Sequence, residues 1–286
     1  MLNAAYLGVR PVMFQVHVEH DRFLYHYTSI ETALNHILAD QTIQIGSFRG
    51  TNDPKESKNW EFSVAMGNME ASYEETTEAR NAIAALIKDK AKVLCFSQDK
   101  NYCDIEPLNH IYSRGFAKPR MWAQYGGNHT GVCLVFDWAI IAKAMTEQFS
   151  GNTTDVYWGA VRYVNRQLGE DVLRSGYTIN YPQLKNLGRE VYVRRHVFSH
   201  HERLFFEKAA DWRDEDEYRW VLISDRPGNL YVNFGPALAG VVFGQYTEES
   251  DISAVVKAAR QIGEIKFEQM SWKNCTPWLS FRLVWA

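Results

Sequence analysis

Four short segments of the chain carry residue types suited to chemistry. In Tyr25-His26-Tyr27-Thr28-Ser29 an imidazole sits where a strand runs into a helix start. That junction presents a titratable ring and backbone N–H groups to one side, though a single histidine also serves there as an ordinary structural residue. Asn52-Asp53-Pro54-Lys55-Glu56 reads as an Asx turn, structural or ligand-facing. In Met121-Trp122-Ala123-Gln124-Tyr125-Gly126-Gly127-Asn128 the two rings are three residues apart on a helical turn and share a face. They form either a flat wall for a ring-shaped ligand or plain core. In Trp212-Arg213-Asp214-Glu215-Asp216-Glu217-Tyr218-Arg219-Trp220, strand alternation places Glu215, Glu217 and Arg219 on one face and Asp216, Tyr218 and Trp220 on the other. Burying a carboxylate costs several kcal/mol unless it is paired, so Glu217 is expected to meet an arginine or to face a ligand.

Weaker clusters read as surface. His196, His200, His201 and Glu202 fall in no HExxH frame. Arg189, Arg194, Arg195 and Arg203 make a basic stripe that tracks either a phosphate backbone or only water. Cys95, Cys103, Cys133 and Cys275 form no CxxC pair, so zinc is not expected and the buried thiols fit a reducing cytoplasm.

The elements that must position these residues follow from composition and periodicity. The 286 residues are 46% hydrophobic and 23% charged, which is the composition of a folded chain. A formal net charge of −3 excludes a globally basic nucleic-acid binder while leaving room for a local basic groove. No apolar run is long enough to span a bilayer, and the first residues do not read as a signal peptide. Strands are expected at 23–28, 42–46, 92–97, 131–137, 155–163, 216–223, 230–234, 238–244, 265–270 and 279–285. Helices are expected after Ser29, across 57–91, at Met121, across 181–204 and across 252–261. Residues 98–120 read as a polar loop or lid. Neither a GxGxxG nor a Walker A loop is present, and the connections argue against a doubly wound parallel sheet.

In this order the motifs resemble the bacterial domain-of-unknown-function family 2971. That family carries Y-H-Y-T-S, N-D-P-x-E, C-F-S, M-W-x-x-Y-G and W-x-x-E-x-E-Y-R. Here these are Tyr25–Ser29, Asn52–Glu56, Cys95–Ser97, Met121–Gly126 and Trp212–Arg219. Thr51 stands where an aromatic residue is expected before Asn-Asp-Pro. A more distant resemblance is to the ADP-ribosyltransferase superfamily, through a histidine after the first strand, a central aromatic and a late E-x-E strand.

This second resemblance implies an α+β fold. A single domain over 23–286 would hold split mixed or antiparallel sheets with flanking helices, after an arm at 1–22. It implies NAD as substrate, no metal, and a cleft in which His26 holds ribose hydroxyls with Tyr27, Thr28 and Arg219 nearby. Trp122 or Tyr125 would stack on the nicotinamide, and Glu217 would accept from the nicotinamide-ribose 2′-OH. Glu215, with Asn52 and Asp53, would orient the acceptor. The implied activity is that of a cytoplasmic bacterial toxin or anti-phage effector, a glycosyltransferase acting on nucleic acid or protein. It would be restrained by an antitoxin or chaperone and would have no membrane partner. Arg114, Lys118, Arg120 and Trp122 would guide a single strand of RNA or DNA. The alternatives are a non-catalytic nucleotide-sensing module and an NAD glycohydrolase.

Overall fold

The computed structural model describes residues 22–100, 111–151, 154–166 and 175–280. The architecture is α+β, a mixed and mostly antiparallel sheet structure with flanking helices. The strands are β1 (Phe23–Thr28), β2 (Thr42–Ser47), β3 (Ser63–Ala65), β4 (Ala91–Gln98), β5 (Val132–Asp137), β6 (Thr154–Ala160) and β7 (Arg162–Tyr163). They continue as β8 (Thr178–Asn180), β9 (Glu207–Lys208), β10 (Glu217–Ser224), β11 (Leu230–Asn233), β12 (Leu238–Phe243), β13 (Lys266–Lys273) and β14 (Thr276–Ser280). The principal helices are α1 (Tyr73–Lys90), α2 (Pro119–Gln124), α3 (Trp138–Phe149), α4 (Tyr181–Leu187), α5 (Arg189–Phe205) and α6 (Glu249–Ala259).

The chain divides into two compact units, each assembled from separated stretches. Unit 1 takes Met1–Thr42, Ser97–Ala142 and Phe234–Ala286, and unit 2 takes Ile43–Phe96 and Lys143–Asn233. In unit 1, β5 is the central strand because its run Val-Cys-Leu-Val-Phe is buried throughout. It pairs antiparallel with β1, from Phe23↔Asp137 to Thr28↔Val132, and antiparallel with β12. The strand β13 runs parallel to β12, and β14 closes antiparallel on β13. Thr28, Gly126 and Gly131 meet so closely that a Cβ on Gly131 would lie 2.3 Å from the Thr28 carbonyl oxygen. Backbone cannot yield as a side-chain tip can. Gly131→Ala is therefore expected to cost about 1–3 kcal/mol, read as a lowered thermal midpoint.

In unit 2 the sheet order is β11-β2-β4-β10-β6. The strand β6 lies antiparallel on β10, from Tyr218↔Ala160 to Ser224↔Thr154. Parallel two-stranded pieces form between β3 and β8 and between β7 and β9. The core joins α1 and α5 to the sheet through Ile83, Ile87, Val193, Val197, Phe205, Val221 and Ile223. Helix α1 starts at a capping box, in which Ser72 accepts from the Glu75 N–H while the Glu75 carboxylate accepts from the Ser72 N–H.

The helix expected over 57–91 forms only from Tyr73. Before it, Trp60 and Phe62 are buried and β3 intervenes. The helix expected over 181–204 is split at Gly188, whose φ of 74° ends α4. Residues 1–21, 101–110 and 281–286, which include most of the arm, Cys103 and the end of the last predicted strand, lie outside the described residues. Among the described residues no helix is long and apolar enough to cross a membrane.

Candidate functional site

The Asn-Asp-Pro-Lys-Glu segment builds one wall of a charged centre in unit 2. Asp53 caps the short helix Pro54–Ser57, its Oδ1 accepting from the Lys55 N–H at 2.9 Å. Proline at the first helical position needs no N–H partner, so the turn is preset. This local geometry sends Glu56 inward to 2% exposure, while Asn52 stays exposed. Lys88 of α1 holds the segment from below. Its ammonium donates to the Glu56 carbonyl at 2.8 Å and to the Lys58 carbonyl, and lies 4.5 Å from the Trp60 ring centre. Burial lowers the Lys88 pKa to about 8.

The opposite wall is the start of β10. Arg219 is fully buried; its Nε donates to Glu217 Oε1 at 2.6 Å and its Nη1 to Glu56 Oε1 at 2.6 Å. The same Nη1 reaches the Phe205 carbonyl at 2.8 Å. Lys208 on β9 donates to Glu217 Oε2 at 2.8 Å and to Glu215 Oε2 at 2.7 Å. The Glu217 N–H donates to the Tyr163 hydroxyl at 2.8 Å. Two cations therefore face three carboxylates. Glu215 does not extend the strand as alternation predicted. It ends a 3₁₀ turn (Ala210–Glu215), and Asp216, at φ 44°, bends the backbone so that both flanking carboxylates reach one ammonium.

Burial by itself would push the Glu217 carboxyl up. Arg219 and then Lys208 overcome that and hold it down at about 2, and the Cys95 thiol adds a hydrogen bond. Lys208 is held well above its ordinary value, since Glu217 and Glu56 outweigh its burial. A carboxyl depressed in the fold contributes stability above its unfolded value and loses it as pH falls through the folded one. The Glu217 contribution, on the order of 3 kcal/mol, should thus be full above about pH 4.5 and vanish toward about pH 2. Urea denaturation across that window should show the slope, and Glu217→Gln should remove it.

On β9 successive side chains point opposite ways. Lys208 enters the buried network, and Glu207 enters an open pocket of about 590 Å³. Arg162, Arg166, Gly176, Ser199, His200, His201, Glu202, Arg203 and Glu207 line this pocket. Arg166 forks onto Glu207, with Nε at 3.0 Å and Nη2 at 2.7 Å. Arg162 reaches the same carboxylate at 3.2 Å and Arg203 at 3.4 Å. Against the upward push of burial, Arg166 and Lys55 keep Glu207 ionised. His200 is lowered by burial. Nothing in the sequence marked Glu207 and Lys208 beyond two charges directly after the apolar Leu204-Phe205-Phe206.

Unit 1 holds the remaining motifs. Tyr25 is fully buried, donating to Asp99 Oδ2 at 3.2 Å and accepting from Arg114 Nη2 at 2.9 Å. Arg114 itself pairs with Asp99 at 3.0 Å and is 1% exposed, and Lys118 is also buried. These two side chains therefore lie in the interior and not on a surface that tracks a single strand. Tyr27 donates to the Gly115 carbonyl at 2.6 Å and packs edge-on to Trp122, with ring centres 5.0 Å apart. Trp122 is fully buried, and its indole N–H donates to the Phe116 carbonyl at 2.8 Å. Tyr125 is half-buried at the end of α2, and His26 is half-buried on β1 opposite Leu134. Thr28 is buried at the end of that strand.

The structure thus gathers Asn52–Glu56, Cys95 and Glu215–Arg219 in unit 2, and Tyr25–Ser29 with Met121–Gly126 in unit 1. Among the described residues no group of three His, Cys, Asp or Glu is placed to hold a metal ion. No curated protein and no solved structure matches the chain. Over residues 121–220, from α2 into β10, the chain matches the family described as protein of unknown function (DUF2971), so the family resemblance carried by its motifs holds across that stretch.

Proposed function

We propose that the chain is an ADP-ribosyltransferase that uses NAD as its substrate, with Glu217 as the carboxylate that faces the reacting ribose. The reading is carried by one observation. Three side chains are spent on keeping Glu217 buried and ionised, with Arg219 and Lys208 on its two oxygens and Cys95 beside it. Perturbed, dedicated carboxylates of this kind concentrate at functional sites. A second feature agrees with it. Glu56 Oε2 and Arg219 Nη2 are buried and have no hydrogen-bond partner among the described residues. The Arg219 donor is of the sort that a sugar hydroxyl satisfies.

In the proposed reaction the nicotinamide–ribose bond breaks, the bonding electrons leave with nicotinamide, and an acceptor nucleophile adds to the anomeric carbon. The ribose gains oxocarbenium character, which a fixed carboxylate stabilises. Glu217 accepts from the 2′-OH once Lys208 releases Oε2, and Glu215 keeps Lys208 partnered during that exchange. The acceptor, a nucleic acid or a protein, and a restraining antitoxin or chaperone belong to the same proposal.

A second reading, a nucleotide-binding module without turnover, is favoured by the engagement of both Glu217 oxygens at 4% exposure. Incubation with labelled NAD and a cell lysate separates the readings. Label on RNA, DNA or protein supports transfer, free ADP-ribose alone points to a glycohydrolase, and binding without turnover leaves the sensor.

A further inference from the structure

The strand β6 is the outer strand of the unit 2 sheet, and among the described residues it pairs with β10 alone. Every second residue along it points an N–H and a C=O away from β10, and such an edge is a template for another strand. Folded proteins blunt these edges with lysine, proline or charges. Thr154-Asp155-Val156-Tyr157-Trp158-Gly159-Ala160 contains neither lysine nor proline, and its one charge, Asp155, is engaged by Arg194 at 3.0 Å. The strand instead exposes Trp158 at 57%, directly across from the buried Trp220.

The helix over this edge has a matching character. Val193 and Val197 of α5 share a core with Val221 and Ile223 of β10, while Arg194 and His201 touch Asp155 and Tyr157 of β6. The outward stripe of α5 is Val191, Arg195, Phe198 and Glu202, whose spacing of i, i+4, i+7 and i+11 keeps them on one face. Phe198 is 72% and Val191 55% exposed, and the exposed Arg195 and Glu202 stand one on each side of Phe198. Glu202 is held only loosely, 3.7 Å from Arg162. A cation and an anion flanking an apolar residue complement a copy of themselves. Run antiparallel, Arg195 of each helix meets Glu202 of the other, with the two Phe198 rings between them. The spacing agrees. Two copies of α5, each above a β10–β6 pair, would lie two strand spacings apart, about 10 Å, which is a helix packing distance.

We propose that the chain pairs with a second copy of itself, β6 against β6 in antiparallel fashion, with the two α5 helices packed alongside. With the two-fold axis at Tyr157, Val156 of each copy lies beside Trp158 of the other and Tyr157 faces Tyr157. Asp155 then faces Gly159, so no like charges meet across the new ladder. The contact is isologous and closes at two copies. It uses none of the side chains that hold Glu217, so it stands whether or not the chain transfers ADP-ribose.

The test is sedimentation velocity of the full chain from about 1 µM to about 0.1 mM. The parent should move from the 33.0 kDa of one chain toward twice that mass as concentration rises. Trp158→Lys places an edge lysine where the indole stood and should weaken association at least about tenfold. Arg195→Glu and Glu202→Arg should each weaken it severalfold by setting like charges together, and the two combined should restore the parent affinity. All three positions are exposed, so the variants should keep the circular dichroism of the parent. A Glu217→Gln chain should associate as the parent does, which keeps this test apart from that of NAD turnover. The proposal is overturned if the parent stays at the mass of one chain throughout, if Trp158→Lys associates as the parent does, or if the double charge reversal recovers nothing.

Discussion

Glu217→Gln is expected to lower the transfer of label from NAD by a factor on the order of 10²–10³. An amide is isosteric with the carboxylate but carries no charge to set against the developing oxocarbenium. The substitution also disturbs a buried network, so loss of activity by itself is ambiguous. Glu56→Gln is the control. It cuts the same network through the Arg219 contact at 2.6 Å and leaves Glu217 ionised. Compared per folded molecule, Glu56→Gln should lose stability yet keep most transfer, whereas Glu217→Gln should keep almost none. Equal losses in the two variants would reduce Glu217 to a structural partner and leave the binding-module reading in place.

The largest expected effect on stability is at Arg219. Arg219→Met leaves Glu217 and Glu56 in the interior without the cation they share, Glu217 keeping Lys208. Removing one partner from a buried ionic cluster costs about 3–5 kcal/mol, mainly because the orphaned charge stays desolvated. The midpoint of urea denaturation should fall accordingly. Adding Glu56→Gln to Arg219→Met should recover part of the loss, since one of the two stranded charges is then gone. A change below about 1 kcal/mol in the single variant would mean that water enters the network freely.

The sequence was most informative where burial logic is one-sided. The run at Val132–Asp137 and the alternation through β10 placed two strands correctly, and the charged residues entering β10 required a partner for Glu217, which Arg219 supplies. Lys208 escaped notice because its two carboxylates lie on the far side of a 3₁₀ turn whose path depends on the left-handed Asp216. Trp122 and Tyr125 share a helical face as spacing requires, but spacing does not say whether that face meets a ligand or the core. The Phe116 carbonyl and Tyr27 take Trp122 into the core. Arg114 read as a surface charge because its partner Asp99 lies fifteen residues away within a polar stretch. The segment before α1 read as helix because its charged residues mask two aromatic residues that are better buried in an irregular path.

The interleaving of the two units has a consequence for synthesis on the ribosome. All of unit 2 has been made once Asn233 is added, whereas unit 1 still lacks β12, α6, β13 and β14. Until those arrive, the nascent chain carries β5 with its β1 neighbour but without β12, so one edge of its most apolar strand is open. Such an edge invites pairing with other chains. A premature stop just after Asn233 should therefore yield a product that aggregates through Val132–Asp137 while its unit 2 residues retain native hydrogen-exchange protection.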